Sequence, residues 1–136
     1  MDHALVHFEI PADNVEALAK FYTDLLGWKI TTDDKYPGYW GIHPVPSKTG
    51  EEAMKEGILT GGMMQRKLPG QMPTNYVLVE SVADYLAKAV ALGAQEIVGK
   101  TELPDMGCFA VLLDPQNNPL GLFEMMKPCP ATEAKQ

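Results

Sequence analysis

The stretch LVHFEIPADNVEALAKFYTDLLGWKI, residues 5–30, decides the fold because its pattern returns later in the chain. An apolar strand that contains His7 leads directly into a helix whose apolar side chains recur every three or four residues and which ends at Gly27. Residues 76–97 repeat this order of strand, helix and glycine, and both helices contain the letters LAK. The repeat predicts two similar modules within one domain.

Both predicted helices carry start signals. Asp13 with Glu16, and Ser81 with Asp84, each place a capping side chain three residues before an acidic one. Residues 45–57 are charged and have little apolar periodicity, which predicts a loop. Segments rich in β-branched and aromatic residues, separated by turn residues, predict four strands in each half. These strands cover residues 5–10, 28–32, 39–43 and 58–65, and then 76–79, 96–100, 108–114 and 120–126.

This order predicts an α+β fold in which two βαβββ modules form a curved mixed sheet around a central cleft. In each module the helix covers one face of the sheet and leaves the other face bare. The two bare faces must therefore be buried against each other or form a cleft. Module one spans about residues 1–66, a linker follows at 67–73, and module two spans about residues 74–128. The Pro-rich polar end, residues 129–136, is predicted to be a disordered tail.

The overall composition is that of an ordinary globular chain with a net charge of −7. This charge argues against nucleic-acid binding, which needs a basic surface. No apolar run reaches the roughly 20 residues that span a bilayer, so no membrane contact is expected. The opening MDHALVHFEI lacks the features of a signal peptide, and the cysteines, Cys108 and Cys129, form no disulfide framework. We therefore expect a cytoplasmic protein.

Four motifs in this order resemble the vicinal-oxygen-chelate superfamily, which includes glyoxalase I, extradiol dioxygenases, fosfomycin resistance proteins and bleomycin-binding proteins. They are His7 on the first strand, the pair FY at residues 21–22, LLGW at residues 25–28, and DPQNN at residues 114–118. The letters HFEIPADN are similar to the start of a narrower branch of small glyoxalase-like proteins. The resemblance implies a homodimer that binds a small organic molecule.

In the members of this superfamily that use a divalent metal, matching positions of the two modules supply the ligands. His7 fits the first of these positions, but Asn75 or Thr74 stands at its counterpart and Gly121 stands where a last-strand glutamate is usual. The strand that ends module one, GILTGGMMQR, contains no carboxylate or histidine. We therefore assign no metal ligand, with His7 as a weak candidate, and expect no cofactor. A third interpretation keeps a metal on His7, Glu9 and Glu124, completed by a partner chain.

Three side chains are the candidate catalytic residues. His7 suits acid–base work near neutral pH. Glu9 follows two positions later, so the two side chains share one face of a strand. A carboxylate in a partly apolar cleft, such as Glu9 or Glu124, can also act as a general base. Each carboxylate is equally explained as a paired or solvated charge.

Aromatic and soft side chains are the candidate ligand-binding residues, because they can stack on a planar or apolar molecule. Packing within the protein core explains the same pattern. The candidates are Tyr36, Tyr39, Trp40, Asn75, Tyr76, Met106 and Phe109. The sequence thus predicts a glyoxalase-like small-molecule-binding protein, with a lyase or isomerase step on His7 and a carboxylate. The alternative is a drug- or metabolite-sequestering protein of the bleomycin-resistance type.

Overall fold

The structure is a computed structural model that describes residues 2–126. Within these residues the chain forms eight strands and three helices, with both parallel and antiparallel strand pairs, which confirms the α+β class and its mixed strand pairing. The chain divides into two compact units. Within the described residues, the N-terminal unit is Leu5–Tyr76, and the C-terminal unit is residues 77–126 together with residues 2–4. The predicted disordered tail, with Cys129, lies outside the described residues.

The N-terminal unit places its strands in the order β2-β3-β4-β1. β1 runs parallel to β4, while β3 is antiparallel to both β2 and β4. The central strand β4 is therefore flanked by β1 and β3, and side chains from both can meet above it. The elements are β1 (Leu5–Ala12), α1 (Val15–Leu26), β2 (Lys29–Thr32), β3 (Tyr39–His43), α2 (Gly50–Lys55), β4 (Thr60–Gln65) and the first part of β5 (Thr74–Leu78).

Helix α1 begins one residue later than the sequence predicted. The side chain of Asn14, and not that of Asp13, accepts a hydrogen bond from the Ala17 backbone N–H at 3.0 Å. Asp13 instead pairs with Arg66, at 3.0 Å between Oδ1 and Nε. The helix ends at Gly27 in the left-handed conformation, with φ 73°, as predicted. The apolar face of α1 packs on a core that contains Ala12, Ala19, Ile42 and Met63.

The predicted loop at residues 45–57 contains the short helix α2, so that prediction was wrong for part of its length. Its buried side chain is Ala53, with 1% of its surface exposed. A helix that buries one small residue shows almost no apolar periodicity, which is the signal on which the sequence prediction depended. Charge pairs support it instead, since Lys48 lies 3.8 Å from Glu52 and 2.7 Å from Glu56.

The C-terminal unit repeats the pattern without an added helix. Ser81 caps its helix by accepting from the Asp84 N–H at 3.2 Å, as predicted. The helix packs on a core that contains Val79, Leu86 and Leu112. Its elements are the end of β5, α3 (Val82–Ala91), β6 (Gln95–Leu103), β7 (Gly107–Leu113) and β8 (Pro119–Met125), with β7 antiparallel to both β6 and β8. In residues 2–126, no helix combines the length and apolar character that crossing a membrane requires.

Candidate acid–base site

A histidine, a glutamate and two tyrosines form one hydrogen-bonded group in the N-terminal unit. His7 and Glu9 alternate with apolar neighbours on β1, so both project from the same face. Tyr39, at the start of β3, reaches between them. Its hydroxyl oxygen lies 2.6 Å from Nε2 of His7 and donates to Oε2 of Glu9 at 2.9 Å. The imidazole and the carboxylate, 4.0 Å apart, are therefore bridged by one phenol.

Tyr76 binds the other oxygen of the same carboxylate. Its hydroxyl donates to Oε1 of Glu9 at 2.7 Å, and its ring meets the ring of His7 edge-on at 5.7 Å between centroids. Tyr76 is buried, with 5% of its surface exposed. Both oxygens of Glu9 thus accept a phenolic hydrogen bond, which holds the carboxylate in one orientation. The side chain of His7 remains 31% exposed and that of Glu9 17% exposed, so the histidine is the more accessible end of the group.

A glycine on β4 makes room for the bridging phenol. Gly62 is paired with Glu9 on one side and with Gly41 on the other. The ring of Tyr39 crosses this bare backbone, and a Cβ at position 62 would overlap its hydroxyl and the ring carbon that carries it. The neighbouring Gly61 similarly accommodates the ring of Phe8, whose nearest atom would lie 2.5 Å from an added Cβ. Close approach of this kind requires a residue without a side chain.

Burial lowers the pKa of His7 below its ordinary value, because a charged imidazolium is poorly solvated there. Two smaller effects act in the opposite direction: the negative charge of Glu9 and a backbone hydrogen bond to Thr60. Because the pKa of His7 is lowered overall, the neutral histidine is favoured, and this form can accept a proton from a bound molecule.

The two tyrosines remain phenols. Burial is the main cause that raises the pKa of Tyr39 and of Tyr76, and the charge of Glu9 and the hydrogen bond to it raise both pKa values further. An ionised phenolate beside Glu9 would place two negative charges in contact. Each tyrosine therefore serves as a hydroxyl donor across the physiological pH range.

Glu124, the third candidate acid–base residue, lies on β8 in the C-terminal unit. Its Oε1 accepts the backbone N–H of Val82 at 2.9 Å, at the first turn of α3. The same oxygen accepts from the thiol of Cys108 at 3.5 Å. Burial and this carboxylate raise the pKa of Cys108, which keeps the thiol protonated. These contacts explain Glu124 as a stabilising partner of the helix start.

The remaining candidate ligand-binding residues lie in different places. In the N-terminal unit, Tyr36 lies in the turn before β3, Trp40 packs on the core side and borders a shallow cleft beside Asn14, and Asn75 is exposed on β5. In the C-terminal unit, Met106 is 45% exposed in the turn after β6, and Phe109 pairs with Phe123 across β7 and β8. The structure brings together His7, Glu9, Tyr39 and Tyr76 from the predicted set.

The donor atoms around His7 do not fit a divalent metal. Nε2 of His7 already bonds to the hydroxyl of Tyr39 at 2.6 Å, and both oxygens of Glu9 are bound by phenols. Within residues 2–126, no group of three or more His, Cys, Asp or Glu side chains is arranged to hold a metal ion. Structural zinc sites normally use four protein ligands and catalytic zinc sites three. The absence of a metal-binding residue therefore stays a prediction.

Gly62 is the site residue that the sequence interpretation missed. The segment GILTGGMMQR contains no carboxylate or histidine, so it predicts no metal ligand. A pair of glycines within a strand pattern nevertheless indicates close approach of another group to the backbone. That signal was present at Gly61 and Gly62, although it does not identify the group that approaches.

Comparison with known proteins agrees with this architecture. The model of the Glyoxalase-like domain family matches residues 6–123. The chain belongs to this family. A curated relative from Mycobacterium tuberculosis, named "Putative glyoxylase CFP32", is 38% identical over 73 residues, which cover 52% of this chain and 26% of that protein. The match thus spans about a quarter of the length of the relative.

Solved structures share the fold at low sequence identity. A hypothetical protein from Bacillus halodurans C-125 superposes with a TM-score of 0.60 and 13% identity, over 95% of this chain and 99% of the other. Methylmalonyl-CoA epimerase from Mycobacterium tuberculosis gives 0.58 and 12% identity, over 90% and 88%. A member of the glyoxalase/bleomycin resistance/dioxygenase superfamily from Vibrio splendidus 12B01 gives 0.58 and 10% identity, over 90% and 99%. These similarities show a shared fold, while the match to the Glyoxalase-like domain family confirms the predicted resemblance to glyoxalase-like proteins.

Proposed function

We propose that this glyoxalase-family protein is a metal-independent acid–base enzyme that moves a proton at a carbon atom of a small organic carbonyl compound. The observation that carries this proposal is the bridge from Nε2 of His7 through the Tyr39 hydroxyl to Oε2 of Glu9, with distances of 2.6 and 2.9 Å. A lyase or isomerase step of this kind needs a base at one stage and an acid at the next. A neutral histidine joined to a carboxylate can supply both.

His7 is the group that meets the substrate in this proposal. Its side chain is 31% exposed, and burial keeps it neutral and able to take a proton. Glu9 is held by Tyr76 and Tyr39 and adjusts the basicity of the imidazole through its charge. A protein named methylmalonyl-CoA epimerase shares the fold at 12% identity, and for this reason methylmalonyl-CoA is included among the test compounds. A homodimer and a small organic ligand are part of this proposal.

Deuterium exchange tests the proposal. The protein, treated with a chelator, is incubated in deuterium oxide with pyruvate, dihydroxyacetone or methylmalonyl-CoA, and loss of the proton signal beside the carbonyl is followed by NMR. We expect exchange of at least one compound, and His7→Ala should slow it by about 10²- to 10⁴-fold. His3→Ala is the matched control, because His3 also contacts a tyrosine, Tyr85, at 3.0 Å but lies in the other unit.

Equal exchange by wild type and His7→Ala for every compound would contradict the proposal. The alternative function is sequestration of a drug or metabolite. Thermal-shift measurements on the same samples distinguish it from catalysis. Stabilisation by a cationic bleomycin-type drug without any exchange would support sequestration. The net charge of −7 is compatible with either function.

A further inference from the structure

We propose that His43 binds the carbonyl oxygen of the substrate through the N–H at Nε2, while His7 acts at the neighbouring carbon. The inference rests on the proposed function, which it deepens by naming the group that contacts this oxygen. When the C–H bond breaks, its proton goes to His7 and its electron pair places negative charge on the carbonyl oxygen. A hydrogen-bond donor at that oxygen stabilises the transition state, and return of the proton to carbon completes the cycle.

Strand alternation places His43 on the face of the sheet that carries the acid–base group. Trp40 and Ile42 of β3 pack in the core that α1 covers. Tyr39 and His43 therefore project from the opposite face. Tyr39 bonds to His7 on that face. The second histidine thus lies on the same side of the sheet as the first.

Thr60 of β4 separates the two histidines. It is paired with His7 on one side. On the other side the antiparallel register pairs Ile42 with Gly61, so one further step places His43 beside Thr60. Neighbouring strands lie about 4.8 Å apart, so the backbones at the two histidines are about 10 Å apart. A small carbonyl compound fits between the two side chains, above Thr60, which is only partly buried.

The two ring nitrogens of His43 have different surroundings. Nδ1 is inaccessible to solvent and has no hydrogen-bond partner, and it is the single side-chain nitrogen or oxygen of this kind among residues 2–126. Nε2 lies toward Gly41, where an added Cβ would be 3.5 Å away. Within the same residues Nε2 forms no hydrogen bond and is not buried, so a bound molecule can reach it.

The burial of Nδ1 selects the tautomer of the neutral ring. A neutral imidazole carries its hydrogen on one nitrogen and accepts at the other. A hydrogen on Nδ1 would be a buried donor without an acceptor, whereas a hydrogen on Nε2 meets solvent or substrate. Among buried backbone groups, unpaired donors are rarer than unpaired acceptors, and the same preference places the hydrogen of His43 on Nε2. This tautomer is the one that donates to a carbonyl oxygen.

The first test is NMR of the full chain labelled with ¹⁵N-histidine. The chain contains three histidines, and the variants His3→Gln, His7→Gln and His43→Gln assign their ring signals. At about pH 8.5, where histidines are ordinarily neutral, His43 should carry its hydrogen on Nε2. Pyruvate, dihydroxyacetone or methylmalonyl-CoA should then shift this Nε2 signal. A ring with its hydrogen mainly on Nδ1 would overturn the inference.

The second test is deuterium exchange by variants of His43. His43→Ala should lower kcat by about 10²- to 10³-fold, the usual effect of losing one such donor, and should change KM less. His43→Gln places an amide N–H near the position of Nε2 and should recover most of the rate. His43→Asn places the amide near Nδ1 and should not. If His43→Ala fails to fold by circular dichroism, the glutamine and asparagine variants carry the comparison, and equal rates in these two would overturn the inference.

The outcomes separate this inference from the proposed function. Exchange that requires His7 but proceeds at the wild-type rate in His43→Ala would overturn the inference and leave the function standing. A shift of the His43 Nε2 signal by one of the three compounds, without any exchange, would support the carbonyl contact and reject the proposed function. Absence of both the shift and the exchange for all three compounds would overturn both.

Discussion

Tyr39 lies across the backbone of Gly62, in a place where any side chain on β4 would overlap its hydroxyl. Two register relationships create this arrangement, since Gly62 is paired with Glu9 on β1 and with Gly41 on β3. The bare backbone between these strands is what allows a residue of β3 to reach a residue of β1. The acid–base group is therefore a product of strand pairing as much as of the residues that carry the chemistry.

Stability of the folded chain should fall as the pH is lowered below about 6.5, the ordinary pKa of histidine. Burial lowers the pKa of folded His7, so in this range the unfolded chain binds a proton that the folded chain does not. Stability continues to fall until the pH reaches the pKa of His7 in the folded chain. Above the pKa of this histidine in the unfolded chain, no stability is lost. Urea unfolding at a series of pH values should show this slope, and His7→Gln should reduce it. An unchanged slope in that variant would contradict the assignment to His7.

Gly62→Ala should lower the free energy of unfolding by about 1–3 kcal/mol, the usual cost of forcing a side chain into filled space. Gly61→Ala should cost a similar amount because its Cβ meets the ring of Phe8. The two variants should differ in deuterium exchange, which only Gly62→Ala should abolish. Urea unfolding and the exchange assay measure the two effects, and equal exchange by both variants would argue against the role of Gly62.

Asn14→Ala should destabilise the chain by about 1 kcal/mol, because the variant removes the side chain that caps α1. Asp13→Ala is the control, since Asp13 is 84% exposed and its pair with Arg66 is a surface contact of small energy. Chemical denaturation of both variants measures the difference. A larger loss of stability for Asp13→Ala would instead support Asp13 as the capping residue, as the sequence alone predicted.

Glu124→Ala should destabilise the chain by about 1–3 kcal/mol, because it leaves the backbone N–H of Val82 without the carboxylate oxygen that it binds. Glu124→Gln keeps an oxygen at that place and should recover most of the loss. Neither variant should change the rate of deuterium exchange by more than its effect on folding. A Glu124→Gln variant that folds normally but no longer supports exchange would return Glu124 to the candidate catalytic residues.

Divalent metals should not stabilise the protein through His7. In thermal unfolding with Mg²⁺, Mn²⁺, Fe²⁺, Ni²⁺ or Zn²⁺, we expect wild type and His7→Ala to respond alike, because the ring nitrogen already bonds to Tyr39. A metal that binds the folded chain at 100 times its dissociation constant would contribute about 2.7 kcal/mol, which such a scan detects readily. Stabilisation that disappears in His7→Ala would overturn the assignment of no metal ligand.

Local features of the fold were readable in the sequence. The cap at Ser81, the end of α1 at Gly27 and the strand at residues 39–43 each depend on neighbouring residues, and the structure confirms them. The cap of α1 was misplaced by one residue because Asp13 and Asn14 are both good capping residues and spacing alone favoured the first. Helix α2 was missed because its stability comes from charge pairs and the single buried Ala53.

The candidate site was readable only in part. His7 and Glu9 share a face by the alternation of a strand, which sequence spacing can show. The bridge by Tyr39 joins residues 32 positions apart, and it depends on the register of β3 on β4 and of β4 on β1. No local pattern specifies these registers, so Tyr39 and Tyr76 could be named as candidates but not assigned partners.

The glycine pair on β4 also bears on how function should be transferred among relatives of this chain. A natural homologue that retained the histidine at position 7 but carried alanine at position 62 would score as a close family member, yet it would have no space for the tyrosine bridge. Inspection of position 62 would therefore separate homologues that can inherit this chemistry from those that inherit only the scaffold.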